Sequence, residues 1–365
     1  MSFKGYFVDD TEEDKVYARL LSSKEGHGLS LEYLNVSEAT VLTNTLFNSN
    51  SDIVLLDFRL DENPAMISPE QAYKGSGLAQ LLRDKAMASP EKDFPIVLLS
   101  AEDKFRNFFR PDRTAHDLFD VAYGKDRAST DRKLIQTQLI SLCEGYQTLK
   151  SCWSGDRMSV FGVEADDLDY FSNQDITVTL HEAGAPHIAA RVILKNVIER
   201  NGILINTSEA LARLGIDESG RSMLEGLLNK HDIAYNGIFS SGWPRWLAHR
   251  FDAFAESILQ KRASNLTGNA KCQILNEKTG LSFQPAQSTW NNSSDEKFIF
   301  SCASCDRPAE IRHSLSAYDP TCPRHAQRRR ICWDCIQTDK YLERCLNIDE
   351  VDIGLYDEVK RKERD

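Results

Sequence analysis

Long apolar runs are missing from this 365-residue chain. No stretch reaches the roughly 18 apolar residues that a membrane-spanning helix needs, so no membrane partner is expected. The opening residues, MSFKGYFVDD, carry no apolar core followed by small residues, so no secretory signal is expected either. Positive charge is in deficit, with 44 Lys and Arg against 55 Asp and Glu, a net charge of −11 and a pI near 5.3. That balance argues against nucleic-acid binding over the whole surface and leaves room only for a local basic patch. Cysteine is sparse through the first 300 residues, where only Cys143, Cys152 and Cys272 occur. The remaining cysteines cluster late, in CxxC pairs, which reads as metal binding rather than a disulfide framework and points to a cytoplasmic protein. No signature of an independent enzyme is present.

What is there suits several domains. The length exceeds one ordinary compact domain, and a 41% hydrophobic fraction lets each domain bury its own core. Short apolar runs alternate with helical stretches over the first 130 residues. Lys4–Val8 reads as a strand ending at Asp9 and Asp10, and Thr11 suits a helix N-cap followed by Glu12, Glu13 and Asp14. Leu29–Tyr33 is a second strand, and Ser37 opens a second helix. Asp52–Asp57 is apolar on both faces until it reaches a carboxylate, as expected of a strand in the middle of a covered parallel sheet. Phe94–Leu99 and Leu118–Tyr123 repeat the pattern, ending before Ser100 and Lys125. Five strand–helix repeats predict an α/β, doubly wound, parallel five-stranded sheet. In such sheets ligands bind at the carboxyl ends of the strands. Asp9, Asp10, Asp57, Ser100 and Lys125 all fall there. Three carboxylates together invite a divalent cation, and oxygen ligands suit magnesium. A carboxylate nucleophile beside it can form an acyl phosphate, with a hydroxyl and an ammonium on the phosphoryl oxygens.

The motifs VDDTEED, IVLLDFRLD, LLSAED and AYGKD, in that order, resemble the receiver domain of two-component response regulators over roughly residues 3–128. The resemblance implies that Asp9, Asp10 and Asp57 hold Mg2+ and that Asp57 accepts a phosphoryl group from a histidine kinase or another phosphodonor. Ser100 and Lys125 would contact that group and couple it to the last two strands. At most, self-phosphorylation and slow autodephosphorylation follow. Arg59 and Glu102 occupy lip positions that resemble those governing phosphoryl lifetime, and they could pair across the mouth; solvated surface charges are the other reading. The pattern also departs from the family. DENPAMISPEQAYK lengthens the loop after Asp57, and the helix after Ser100 should be irregular around Pro111. Asp126 replaces the usual proline, and Ala122 stands where an aromatic switch residue belongs. Enlarged loops of this kind are reminiscent of degenerate relatives in bacterial conflict and anti-phage systems, where the domain would act as a scaffold or adaptor.

Beyond the receiver-like domain (1–130), residues 131–155 read as a connector helix and 156–263 as a mainly helical middle domain. Ile176–Leu180 alternates like a strand, and ARVILKNVIERNG is an amphipathic helix stopping at Gly202. SEALARLGIDESGRSMLEGLLNKHDIAYNGIF reads as a helix–turn–helix similar to winged-helix units, with helix starts at Ser208 and Ser219 and a wing strand at Ile233–Phe239. Its second helix offers Arg221 beside Glu218 and Glu225, which favours a protein contact over DNA reading. The tryptophans around Arg245 suit buried anchors or a contact hot spot. His181 and His187 have no motif linking them to Cys143 or Cys152, so core or surface roles are expected. Residues 264–296 read as loops or weak strands.

A zinc-binding module is expected over 297–346, followed by a charged tail over 347–365. Cys302-x2-Cys305 and Cys332-x2-Cys335 form a zinc-ribbon pattern, the two-residue spacing letting both thiolates of a pair reach one tetrahedral Zn2+. Cys322 and His325 compete for a place in that site or join Cys345 in a second one. Arg324, Arg328, Arg329 and Arg330 form a basic patch, suited to nucleic acid, to an acidic partner or to plain solvation. The combined expectation is a phosphorylation-responsive signalling protein whose helical and zinc modules contact a partner protein. A DNA-binding transcriptional regulator and a degenerate scaffold are the alternatives.

Overall fold

In a computed structural model of the chain, the structure describes residues 2–24, 27–63, 67–110 and 114–362. These form two compact units, Met1–Lys195 with Asn236–Trp243, and Asn196–Tyr235 with Pro244–Asp365. The segment 156–263, which the sequence suggests is one middle domain, is shared between them.

The first unit is built on β1 (Phe3–Asp9), β2 (Leu29–Asn35), β3 (Ile53–Leu56), β4 (Ile96–Ser100) and β5 (Val121–Gly124). All pair in parallel, in the order β2-β1-β3-β4-β5. The doubly wound α/β sheet expected from the alternation is the one observed. Every residue of β3 and β4 is buried, which explains their unbroken apolar runs. Helices α1 (Lys15–Leu21), α2 (Ala39–Asn48) and α3 (Gly75–Ala88) cover the sheet, with short α4 (Glu102–Lys104), α5 (Lys125–Thr130) and α6 (Arg132–Ser151). Glu38, not Ser37, caps α2, its carboxylate accepting the amides of Thr40 and Val41. The irregularity expected after Ser100 is real: α4 widens into a π-helical turn over Phe105–Phe109. Pro111 itself lies outside the described residues.

Three short helices complete this unit: α7 (Ala165–Phe171), α8 (Gln174–Glu182) and α9 (Pro186–Val192). The strand expected at Ile176–Leu180 is instead part of α8. Asn173 caps it, and Ile176 and Leu180, four apart, bury one helical face. His187 has no thiol partner among the described residues; its Nδ1 lies 2.9 Å from Asp93, which also pairs with buried Arg83 at 3.2 Å. Arg83 reaches Asp120 at 2.8 Å, and the Tyr146 hydroxyl donates to the same carboxylate at 2.7 Å. This buried chain of charges joins the amino-terminal edge of β4 and β5 to α6 and α9.

The second unit begins with β6 (Leu204–Ile205), α10 (Thr207–Leu214), α11 (Arg221–Lys230), β7 (Trp246–Leu247) and α12 (Ala248–Leu259). The helix–turn–helix is present, with Gly215 left-handed at the turn (φ 64°). Asn206 caps α10 and Asp217 caps the 3-10 turn Glu218–Gly220 that leads into α11, each two residues before the expected serine. The wing strand is not formed: within 233–239 only Ala234 makes a bridge, to Trp246. Trp246 is a buried anchor whose Nε1 donates to Thr207 Oγ1 at 3.2 Å. Residues 268–279, expected as loop or weak strand, form α13 (Gly268–Thr279), opened by the Thr267 cap. Its polar sequence hides a buried Lys271, whose ammonium donates to the Arg213 and Phe298 carbonyls at 2.9 and 2.6 Å.

Two hairpins follow, β8 (Phe300–Ser301) with β9 (Pro308–Ala309), and β10 (Ser314–Ser316) with β11 (Arg330–Cys332). Helices α14 (Trp333–Gln337), α15 (Lys340–Glu343) and α16 (Ile353–Arg361) close them. Trp290, Phe300, Leu315, Ile331, Ile336 and Val359 form their core. No helix among the described residues is long and apolar enough to cross a membrane.

Candidate phosphoacceptor site and metal centre

Register carries the acidic site. Asp9 closes β1, Asp57 follows β3 and donates its amide to the Val8 carbonyl at 3.0 Å, Ser100 closes β4, and Lys125 follows β5. All four side chains are buried, as is that of Asp10. Lys125 Nζ lies 2.6 Å from Asp9 Oδ2, 2.6 Å from Asp14 Oδ2 and 3.1 Å from Asp57 Oδ1. The last approach is poorly aligned for a hydrogen bond, and Asp57 Oδ1 has no bonded donor; Ser100 Oγ is likewise buried without one. Two buried polar oxygens left without partners mark where a polar group fits. Burial, then repulsion from Asp57, raises Asp9 to about 7 against the pull of Lys125. Burial alone would lower Lys125, but Asp57 and Asp9 hold it above its ordinary value. Two buried carboxylates that repel each other are oxygen ligands of the type that would hold a divalent cation.

Asp10 is arranged differently. Its Oδ2 accepts the backbone amides of Glu62 and Asn63 at 2.8 and 3.0 Å, and its carbonyl accepts Asn63 Nδ2 at 3.1 Å. The lengthened loop therefore uses a candidate magnesium ligand as its own anchor. Among the described residues, metal-ligating atoms converge within 4.8 Å at two places, and the acidic trio is neither. Gly75 opens α3 directly against the nucleophile, where a β-carbon would collide with the Asp57 carbonyl oxygen.

At the lip, Arg59 pairs with Asp61 at 2.6 Å and approaches Glu62 at 3.7 Å, while Glu102 reaches Arg110 at 4.0 Å. Tyr123 faces α6, its hydroxyl donating to Gln138 at 2.8 Å, and Ala122 packs against the sheet core. Two charged residues at the site carry little signal in the sequence. Asp14 is visible there only as one of several first-turn acids, and Lys104 as one charge in a polar run. Lys104 Nζ sits 2.7 Å from Glu62 and 3.8 Å from Asp57 Oδ2.

In its strand order the N-terminal five-stranded parallel sheet fits a receiver fold. No protein-family model matches the chain, and no curated protein matches it. Among solved structures, it is similar to the RcsB response regulator of Salmonella typhimurium, determined in connection with conformational dynamism for DNA interaction. That likeness has 14% identity and a TM-score of 0.28 over 52% of this chain and 88% of that one. It is also similar to the response regulator LqsR of Legionella pneumophila, at 10% identity and a TM-score of 0.28 over 78% and 82% of the two chains. Likenesses this distant carry no argument.

The cysteine site is closed. Cys302, Cys305, Cys332 and Cys335 place their sulfurs within 4.8 Å of one another. Cys305 and Cys332 are 3.9 Å apart. A tetrahedron of about 2.3 Å Zn–S bonds has edges of about 3.8 Å, so the four suit one zinc ion. The Ser304 and Cys332 amides donate to Cys302 Sγ at 3.4 and 3.3 Å, orienting the ligand as outer partners of metal sites do. Hydrogen bonds from Cys305, Cys332 and Cys335 hold the Cys302 thiol well below its ordinary value. Cys322 and His325 do not join this site, and among the described residues they do not converge with a third ligand. The His325 Nε2 contact is the Asn196 carbonyl at 2.9 Å, and Cys345 is exposed.

The basic cluster is unevenly available. Arg330 is absorbed by Ser314 and Ser316, with three contacts of 2.9 to 3.1 Å. Arg329 pairs with Asp319 at 3.3 Å, an acid that Arg200 also holds. Arg324 and Arg328 line a surface cavity of about 480 Å³ with Tyr318 and Cys322. On α11, Arg221 is bound to Glu218 and to Ser208 Oγ, so the cation that the second helix offers is engaged.

Proposed function

We propose that this is a phosphorylation-responsive signalling protein in which Asp57 accepts a phosphoryl group. The carrying observation is a buried Asp57 at the sheet's carboxyl edge, 3.1 Å from Lys125, with its Oδ1 and the Ser100 hydroxyl left without donors. In the reaction a carboxylate oxygen of Asp57 attacks the phosphorus of a phosphohistidine or an acyl phosphate. The new O–P bond forms as the bond to the leaving nitrogen or oxygen breaks, and that atom departs with the electron pair. Lys125 and Ser100 would stabilise the phosphoryl oxygens. Later attack of water on phosphorus returns the carboxylate and inorganic phosphate.

Asp9 and Asp57 would hold Mg2+, with Asp10 available once its loop amides are released. A bound magnesium ion supplies charge neutralisation for the transferred group. Four thiolates filling every position make the zinc structural. The output is best read as a protein contact, because Arg221 is engaged by Glu218 and the net charge is −11. DNA binding is the second reading, and only the Arg324 and Arg328 face supports it.

Acetyl phosphate with Mg2+ tests the proposal. Wild type should acquire one acid-stable, base-labile phosphoryl group, visible as a mobility shift, and Asp57→Ala should not. Equal labelling of both, or of neither, sinks it.

A further inference from the structure

Lys104 is the second cation beside Asp57, one residue beyond the LLSAED motif. It is five-sixths buried, at 16% side-chain exposure, and it stands on α4 four residues after Ser100. An aromatic cluster fixes that turn: Phe105 and Phe109 pack at 5.2 Å, and Phe109 stands edge-on to Phe58, the neighbour of Asp57, at 5.9 Å. From there the ammonium has two acidic faces. One is Glu62, at 2.7 Å on the inserted loop, and the other is Asp57 Oδ2 at 3.8 Å. Asp57 Oδ2 already accepts the Arg59 amide at 2.8 Å. In the unphosphorylated state the closer bond is therefore to the loop.

We propose that Lys104 is a phosphoryl-contact residue that exchanges Glu62 for the phosphoryl oxygens when Asp57 is modified, so the loop at 59–63 reports the state of the site. This rests on the phosphoacceptor reading above. The reason for exchange is charge. A phosphoryl group on Asp57 carries close to two negative charges and three acceptor oxygens, against one charge on Glu62, whose side chain is 40% exposed and screened by water. The same step costs the loop an anchor. Glu62 loses its 2.7 Å partner and keeps Arg59 at 3.7 Å, and two of the segment's bonds go to the Asp10 carboxylate, the very group a magnesium ion would draw away. Ala122 cannot perform the aromatic switch that the receiver resemblance implies, and this loop supplies a different route.

Beryllofluoride, which occupies the phosphoryl position on a carboxylate, gives a direct test on the full chain with Mg2+. Lys104→Ala should weaken its binding about tenfold or more, the worth of a hydrogen bond to a charged group. Lys104→Arg should recover part of that affinity. Glu62→Gln should shift it the other way, tightening binding by freeing the ammonium, an effect that a merely structural role for Lys104 would not produce. Unaltered affinity in Lys104→Ala, with wild type binding normally, overturns the assignment while leaving the phosphoacceptor reading intact. Weakened binding in Lys104→Ala with no gain in Glu62→Gln overturns the exchange. Failure of wild type itself to bind overturns the phosphoacceptor reading instead.

Discussion

Removing zinc should unfold one unit of this chain and leave the other standing. The four cysteines lie inside the core that also contains Trp290, Phe300, Leu315, Ile331 and Ile336, so the ion site and the apolar cluster form together. The β8–β9 and β10–β11 hairpins are only two or three residues long on each side, too short to be stable alone. At free zinc about a thousandfold above its dissociation constant, the bound ion contributes about 4 kcal/mol, a large share of the roughly 5–15 kcal/mol that holds a typical domain. Calorimetry with and without a strong chelator should therefore show one transition moving down and broadening. A second transition, that of the unit containing the parallel sheet, should hold its position. Trp290 and Trp333, whose rings meet edge-on at 5.2 Å, give a fluorescence readout of the same loss. Released metal should amount to about one zinc per chain, because among the described residues Cys322 and His325 do not converge with a third ligand and the second convergence, Glu296, Glu310 and His313, has no thiolate. Chelation that leaves both transitions in place, or a content of two zinc ions per chain, would refute this reasoning.

Other perturbations probe the two units separately. Gly75→Ala forces a β-carbon against the Asp57 carbonyl oxygen, so it should cost about 1–3 kcal/mol and slow labelling by acetyl phosphate; normal labelling kinetics would show that α3 yields there without moving the nucleophile. Burial lowers Lys271 to about 8 from an ordinary 10.5. Between those values the unfolded chain keeps a proton that the folded chain has shed, so stability should rise with pH across that window, by about 3 kcal/mol at most. Denaturant unfolding of wild type and Lys271→Met checks this, and curves that stay parallel from pH 8 to 10.5 would count against it.

The residue pattern of Asp9, Asp57, Ser100 and Lys125 is legible in the amino-acid order alone, because a parallel sheet writes itself into sequence as buried apolar runs that end at the ligand edge. The zinc cysteines are legible for a related reason: the spacing of two residues within each pair is itself a coordination geometry. Sequence by itself thus determined the α/β fold of the first 130 residues and which residues gather at the sheet's carboxyl edge and in the cysteine cluster. Partners were decided only by the tertiary structure. Asp10 has the sequence position of a free magnesium ligand, yet it anchors the inserted loop, since two amides 52 and 53 residues away come to its carboxylate. Lys104 and Asp14 have the local context of ordinary surface charges, and the packing of α4 and α1 turns them toward Asp57 and Lys125. Ile176–Leu180 and residues 268–279 are helical because caps at Asn173 and Thr267 and buried one-sided faces outweigh local alternation and polarity. The competition between Cys322, His325 and the four cysteines is likewise settled in space. Spacing along a chain specifies which residues can share an ion, and only the fold determines which of them meet.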